Sequence, residues 1–189
     1  MGTQNQEAAA QIASFGSLGI LTVTQDVSGR ITGAFPEFDQ ESVAEETLCV
    51  VTAVTAASVA SVERSADLEV AIRTLRSVPY SYRDYLFGQM VLSDEAEIAE
   101  GYSESIGKRI DRKMNFYNTH LSKGLHPTPT KGLQNIMLLW MGRISPPGRE
   151  DSAADRLDQL EILPFLLRHY TLMASFATHC LGSRTDQGV

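Results

Sequence analysis

The chain is poor in the residues on which most catalytic and metal-binding signatures depend. Two cysteines and four histidines are spread over 189 residues. No Cys-x-x-Cys and no His-Glu-x-x-His occurs, which excludes the standard zinc-site spacings. Fourteen glycines are present, yet none pairs with a following Lys-Ser or Lys-Thr at the spacing of a phosphate-binding loop. Gly16-Ser17-Leu18-Gly19 is too slight to count as one. There is no Gly-x-Ser-x-Gly nucleophile elbow either. Positive charge is also short: 16 Lys and Arg stand against 23 Asp and Glu, for a net charge of −7 and a pI near 5.1. Such a balance argues against generic nucleic-acid binding and against attraction to anionic membranes.

Long apolar runs are missing as well. The most apolar stretch, Leu48 to Val62, is 15 residues long and is interrupted by Thr52, Thr55, Ser58 and Ser61. A membrane span needs about 20 residues. Met1 to Ala10 is polar and lacks a basic start before an apolar run, so no secretory signal is expected. Cys49 and Cys180 both lie in apolar, helical-looking segments and read as buried free thiols in a reducing compartment. The expectation is a cytoplasmic protein with no nucleic-acid partner, no membrane partner and no implied cofactor.

What is there points to helices. A hydrophobic content of 43% and a charged content of 21% fit a globular chain long enough to bury a core. We expect one helix-rich domain over residues 1–182 and a flexible tail over 183–189. In Ala153–Leu181, Leu160, Leu163, Leu167, Tyr170, Ala174, Ala177 and Leu181 recur at spacings of three and four. The opposite side carries Ile162, Phe165, Leu166, Leu172, Met173 and Phe176. A helix apolar nearly all round must be buried nearly all round. The expected architecture is therefore a helical bundle around a buried C-terminal helix, with a kink at Pro164 or a start near Leu163. Ser103 to Ser122 is the clearest amphipathic helix, with Ile106, Ile110, Met114, Tyr117 and Leu121 on one stripe. Leu133, Met137, Trp140 and Ile144 mark a short helix that Ser145-Pro146-Pro147-Gly148 ends.

The first third reads differently. Residues 6–15 suggest a short helix ending near Gly16. Leu18–Gln25 and Arg30–Phe35 are then rich in Ile, Val and Thr, with Asp26-Val27-Ser28-Gly29 between them. This predicts an N-terminal β-hairpin over residues 18–35, with Gly29 at positive φ in the turn, and so an α+β character. Ser42 and Glu45 fit a capping box, with Asp39 as the alternative cap. The segment that follows is rich in Ala and Ser, which let neighbouring helices approach closely. Its many Val and Thr residues keep a strand reading open for 48–62, as the alternation of tyrosines does for 80–92.

Candidate site residues are few. Lys108, Arg109, Arg112 and Lys113 form a basic cluster opposite the apolar stripe of their helix, with Arg73 and Arg76 expected nearby. Residues 1–63 hold one basic residue, Arg30, against eight acids. The cluster is thus suited to a small anionic ligand, an acidic protein partner, or the acidic third of a second copy. His120 and His126 flank a Lys123-Gly124 turn that can bring their rings together. His169, among Phe165, Leu172, Met173 and Phe176, reads either as a hydrogen-bonded core histidine or as an axial ligand to a tetrapyrrole. Tyr80, Tyr82, Tyr85 and Phe87 form the aromatic concentration. A pocket lined by Tyr82, Arg109, Arg112, Tyr117, His120, His126 and His169 is the ligand-binding or enzymatic alternative. The favoured reading is a non-enzymatic interaction or regulatory protein that self-associates through apolar helices as a homo-oligomer. No catalytic residue and no metal ligand is assigned.

Overall fold

The computed structural model of the chain describes residues 3–62, 66–82, 96–124, 129–146, 148 and 153–182. Its helices are α1 (Thr3–Ala34), α2 (Gln40–Ala60), α3 (Ala66–Arg76), α4 (Ala96–Gly124), α5 (Pro129–Ile144), α6 (Ala153–Gln159) and α7 (Ile162–Gly182). A further helical turn covers 78–82, and no strand occurs among the described residues. The tail 183–189, most of 80–92 and His126 lie outside them.

The predicted hairpin over 18–35 is not formed. Those residues are the second half of α1, a 32-residue helix. Ile20, Val23, Val27 and Ile31 are fully or almost fully buried, and their spacing of three, four and four is helical, not alternating. Of the residues read as a turn, Asp26 and Gly29 are exposed on this helix and Val27 is buried; Arg30 pairs with Asp26 at 3.0 Å. Thr32 donates its hydroxyl to the Ser28 carbonyl at 3.0 Å, one way a β-branched residue is tolerated in a helix. Phe35 precedes Pro36, and the helix stops at Ala34, as the proline ring demands.

Asp39 is the cap of α2: its Oδ2 accepts the Ser42 N–H at 2.8 Å. Ser42 is therefore inside the first turn, and Glu45 is released for other work. From Val43 to Val59 nearly every residue of α2 is buried. The 48–62 stretch is thus helical through Ala60, and Thr47 and Thr55 donate their hydroxyls to the carbonyls of Val43 and Val51. By length and composition α2 is apolar enough to cross a membrane, but most of it is enclosed by the other helices. It touches α1, α3, α4, α5 and α7.

α2 is therefore the buried centre, and the expectation of a bundle around the C-terminal helix is corrected. The C-terminal region breaks at Leu160-Glu161, where Glu161 takes a φ of 51°, leaving α6 and α7 as separate helices. Pro164 falls in the first turn of α7, where its missing N–H costs nothing. α7 buries one stripe, Ile162, Leu166, His169, Tyr170, Met173 and Ala177, while Leu172 is 53% exposed. The reason is side-chain size. The Ala, Ser, Thr and Val of α2 admit five close neighbours, whereas the bulky residues of α7 fit only one side against the bundle.

Two glycines of α1 make close approach possible. A Cβ on Gly16 would lie 2.5 Å from Leu75 Cδ2 and 3.1 Å from Met173 Cε, so α3 and α7 both close on this point. A Cβ on Gly19 would lie 3.0 Å from the His169 ring. At the other end of α1, Phe35 stacks on Phe38 with centroids 5.3 Å apart. The Arg156 guanidinium of α6 lies over both rings, at 4.8 and 4.9 Å, a cation–π contact that fixes the α1–α2 corner.

Gly29 distinguishes the helix from the hairpin. It is exposed on α1, and a Cβ there would meet nothing within 4 Å. Gly29→Ala is expected to raise stability by about 0.5–1 kcal/mol in denaturant unfolding, through helix propensity and a less flexible unfolded chain. At positive φ in a turn the same change would destabilise.

Candidate functional site

The highest density of charge in the described interior lies where α2, α4 and α5 meet. Glu45 and Glu46 are consecutive on α2 and both are buried. Consecutive helical residues diverge by about 100°, so the two carboxylates reach different partners. Glu45 takes the Arg109 guanidinium through Nη2 at 2.8 Å and Nε at 3.3 Å, and Lys113 Nζ at 2.7 Å. Glu46 takes the same Lys113 Nζ at 2.8 Å, the Tyr117 hydroxyl at 2.7 Å, and Arg143 Nε of α5. Arg109, Lys113 and Tyr117 are spaced i, i+4, i+8 on α4, one face of that helix. Glu41 lies at the edge, 3.5 Å from Arg109 Nη2.

Each group is held firmly in one protonation state. Burial pushes the Glu45 and Glu46 carboxyls up. The hydrogen bonds and charges of Arg109 and Lys113 on Glu45, and of Arg143, Lys113 and Tyr117 on Glu46, outweigh it and hold both below the ordinary carboxylate range. Burial lowers Lys113, but the two carboxylates overcome that and raise it. Tyr117 is raised well above an ordinary tyrosine by burial and then by the Glu46 charge. Beside them, burial pushes the Cys49 thiol up, which makes it a poor nucleophile. Each of these shifts runs away from neutrality, opposite to the tuning that a general acid or base at neutral pH uses.

A cleft of about 210 Å³ opens over the start of α2, lined by Asp39, Glu41, Ser42, Glu45, Arg109 and Lys113. Its two cations already face carboxylates, so an incoming anion would compete with Glu45 for both. Among the described residues no group of three or more His, Cys, Asp or Glu is placed to hold a metal ion.

The basic cluster divides in two. Arg109 and Lys113 turn inward to the acidic pair, while Lys108 and Arg112 stay exposed. Lys108 pairs with Glu104 at 2.5 Å, and Arg112 Nε donates to the Lys108 carbonyl at 3.2 Å. For Arg109 and Lys113 the acids come from this chain's own first third, Glu41, Glu45 and Glu46. Asp111, between them, accepts the Tyr80 hydroxyl at 2.7 Å and ties the turn at 78–82 to α4.

Of the seven pocket candidates, Arg109 and Tyr117 share the acidic-pair network. Arg112 faces solvent. Tyr82 packs on the edge of the core. His120 is half-buried, its Nδ1 2.8 Å from the Phe116 carbonyl and its ring 4.2 Å from that of Phe116. His169 is remote from all of these, where α1, α2 and α7 meet. Its Nε2 lies 2.9 Å from Thr55 Oγ1, which occupies a nitrogen that an axial haem ligand could use. Sequence reasoning missed Glu45, Glu46 and Arg143. The available signal was two adjacent acids at the head of the most apolar segment, with cations four apart on another helix.

No family model, no curated protein and no solved structure matches this chain.

Breaking the network is expected to cost far more than editing its rim. Lys113→Met leaves two adjacent buried carboxylates with one partner fewer each, and is expected to lose about 3–5 kcal/mol in urea unfolding. Because the folded pKa values of Glu45 and Glu46 lie below their unfolded values, their stabilisation is present above the ordinary carboxylate range and is lost on acidification. The variant's acid unfolding should therefore move to higher pH. Lys108→Glu, at the exposed rim, is expected to change stability by no more than about 0.5 kcal/mol.

Proposed function

We propose that this chain is a non-enzymatic helical interaction protein that self-associates through the outer face of the α1–α7 pair. One observation carries the reading. Residues 8–25 of α1 contain no charged side chain, and α7 carries a single arginine, Arg168, and two histidines. On this surface, where Arg168 is the charged residue of α7, Leu18 is 65% exposed, Leu21 51% and Leu172 53%. Phe15 stacks on Phe176 with centroids 4.3 Å apart, joining the two helices along their outer seam. Leu18 and Leu172 lie about one helical turn from that stack, on α1 and α7 respectively.

Net charge restricts where a second copy would bind. Two molecules of charge −7 repel over most of their surfaces, and repulsion is least where neither carries charge. Exposed leucines flanked by Ser14, Ser17, Thr171 and Ser175 suit a two-fold contact in which each patch meets itself. The fixed protonation states at Glu45, Glu46, Lys113 and Tyr117 support the non-enzymatic part of the reading. Leu138 and Leu139 of α5, also exposed, offer a second, smaller contact. A cytoplasmic setting suits two cysteines that form no disulfide among the described residues.

Sedimentation velocity on the wild type and on a Leu18→Glu, Leu172→Glu variant tests the proposal. The wild type should sediment as a dimer or higher multiple, and the variant as a folded monomer whose unfolding midpoint matches that of the wild type diluted below its association range, since both side chains are exposed. A wild type that stays monomeric at high concentration would refute it.

A further inference from the structure

His169 occupies the junction beneath that face. Its ring is 7% exposed. Cε1 stands 3.0 Å from where a Cβ of Gly19 would be, so any larger residue on α1 would crowd it. Nε2 lies 2.9 Å from Thr55 Oγ1. The Thr55 hydroxyl has one proton, and it goes to the Val51 carbonyl at 2.7 Å. Toward the imidazole, the hydroxyl oxygen can only accept. The Nε2 therefore carries the proton, and the neutral Nε2–H tautomer is the one this site accommodates. One residue on, Ser58 Oγ donates to the Tyr170 carbonyl at 2.5 Å. The pair of bonds fastens α7 to α2 while Gly19 lets α1 close over the ring.

A second proton would go on Nδ1, and among the described residues no acid on the helices packed around the ring lies close to it. On α1, Asp26 and Glu7 are seven and twelve residues from Gly19, about 10 and 18 Å along the helix. Arg30 lies further along. On α2, Glu46 is nine residues from Thr55, about 13 Å, and is already engaged by Lys113 and Arg143. On α7, Arg168 is exposed and positive, and His179 is ten residues away. On α3, which meets α1 at Gly16, Arg73 and Arg76 are exposed and positive as well.

We infer that His169 is an acid-sensitive latch: taking up a second proton drives its ring out from between Gly19 and Thr55 and opens the α1–α7 face. The effect on self-association rests on the function proposed above, whereas the latch itself does not. Burial holds the ring's pKa down to about 4, against 6.5 for a free histidine. The folded state thus prefers the neutral ring, and the stabilisation it brings is complete above pH 6.5 and lost as pH falls toward 4. Linkage makes the closed state about eight-fold less favoured at pH 5.5 than at pH 7, and about 60-fold less at pH 4.5. Glu45 and Glu46, with pKa values held down, stay ionised at pH 5.5 and add nothing to the change there, and the His169→Gln variant separates His169 from the other histidines.

The experiment is an NMR titration of the His169 ring nitrogens, with amide hydrogen exchange of residues 15–23 and 165–176 at pH 7.5 and 5.5. Exchange is corrected for its intrinsic pH dependence, and His169→Gln, which keeps a donor for Thr55 but does not titrate, is measured alongside. An Nε2–H tautomer titrating more than one unit below 6.5 is expected, with protection falling about eight-fold in the wild type and unchanged in the variant. A ring titrating near 6.5, or equal loss of protection in both proteins, would overturn the latch. If the variant does not fold, the wild-type titration still decides. Sedimentation of the same samples separates the two proposals: acid opening in a protein that is monomeric at both pH values keeps the latch and removes self-association.

Discussion

Glu45 and Glu46 are neighbours on a helix with almost no exposed surface, and most of the architecture answers the need to neutralise them. An unpaired carboxylate in such a place costs several kcal/mol after relaxation. Three basic side chains and one phenol from two helices converge on the pair, and Lys113 serves both carboxylates. That requirement sets the rotation of α4 about its axis: Arg109, Lys113 and Tyr117 must face α2. It also brings α5 to the same point through Arg143. Apolar burial drives these helices together without direction. The ion pairs add direction, because only one rotation satisfies every charge.

The opposite face of α2 is organised by close approach instead of charge. Gly16 and Gly19 remove side chains from α1 where α3, α7 and the His169 ring come nearest. Thr55 and Ser58 of α2 bond to α7 across the gap. Both faces use polar atoms from α2, and most of its hydroxyl residues find partners inside the bundle. Among the described residues Thr52 Oγ1 lacks a hydrogen-bond partner, as does the indole N–H of Trp140. A helix that is apolar by composition thus carries the polar contacts that give the fold a single arrangement. The charge-poor outer surface around Phe15, Leu18, Leu172 and Phe176 is the remainder of this arrangement: apolar residues that the bundle does not enclose.

Much of the helical content was legible, because periods of three and four survive whatever packs against them. Ile106 to Leu121 and Leu133 to Ile144 form buried stripes in α4 and α5 as their spacing implies. The 18–35 segment was misread because Ile, Val, Thr and a central Asp-x-Ser-Gly imitate a hairpin locally. Tertiary burial of Ile20, Val23, Val27 and Ile31 overrides that propensity. The C-terminal helix was misranked for another reason: an apolar residue signals that burial is favourable, not that a neighbour exists to provide it. Among site residues, Arg109 and Tyr117 were marked as functional from their surroundings in sequence, and both joined one network. Their partners were invisible, since Glu45 and Glu46 are 64 and 71 positions away from them.

The sequence by itself determined the mainly helical class, some helix ends, and the uneven charge that puts acids in the first third and bases in the middle. These are local or additive properties, carried by periodicity, caps, prolines and composition. Only the tertiary structure decided which helix is central, which cations turn inward, and which apolar face is left to solvent. Those outcomes depend on contacts between distant residues, where side-chain volume and the cost of a buried charge select one packing among several that the pattern allows.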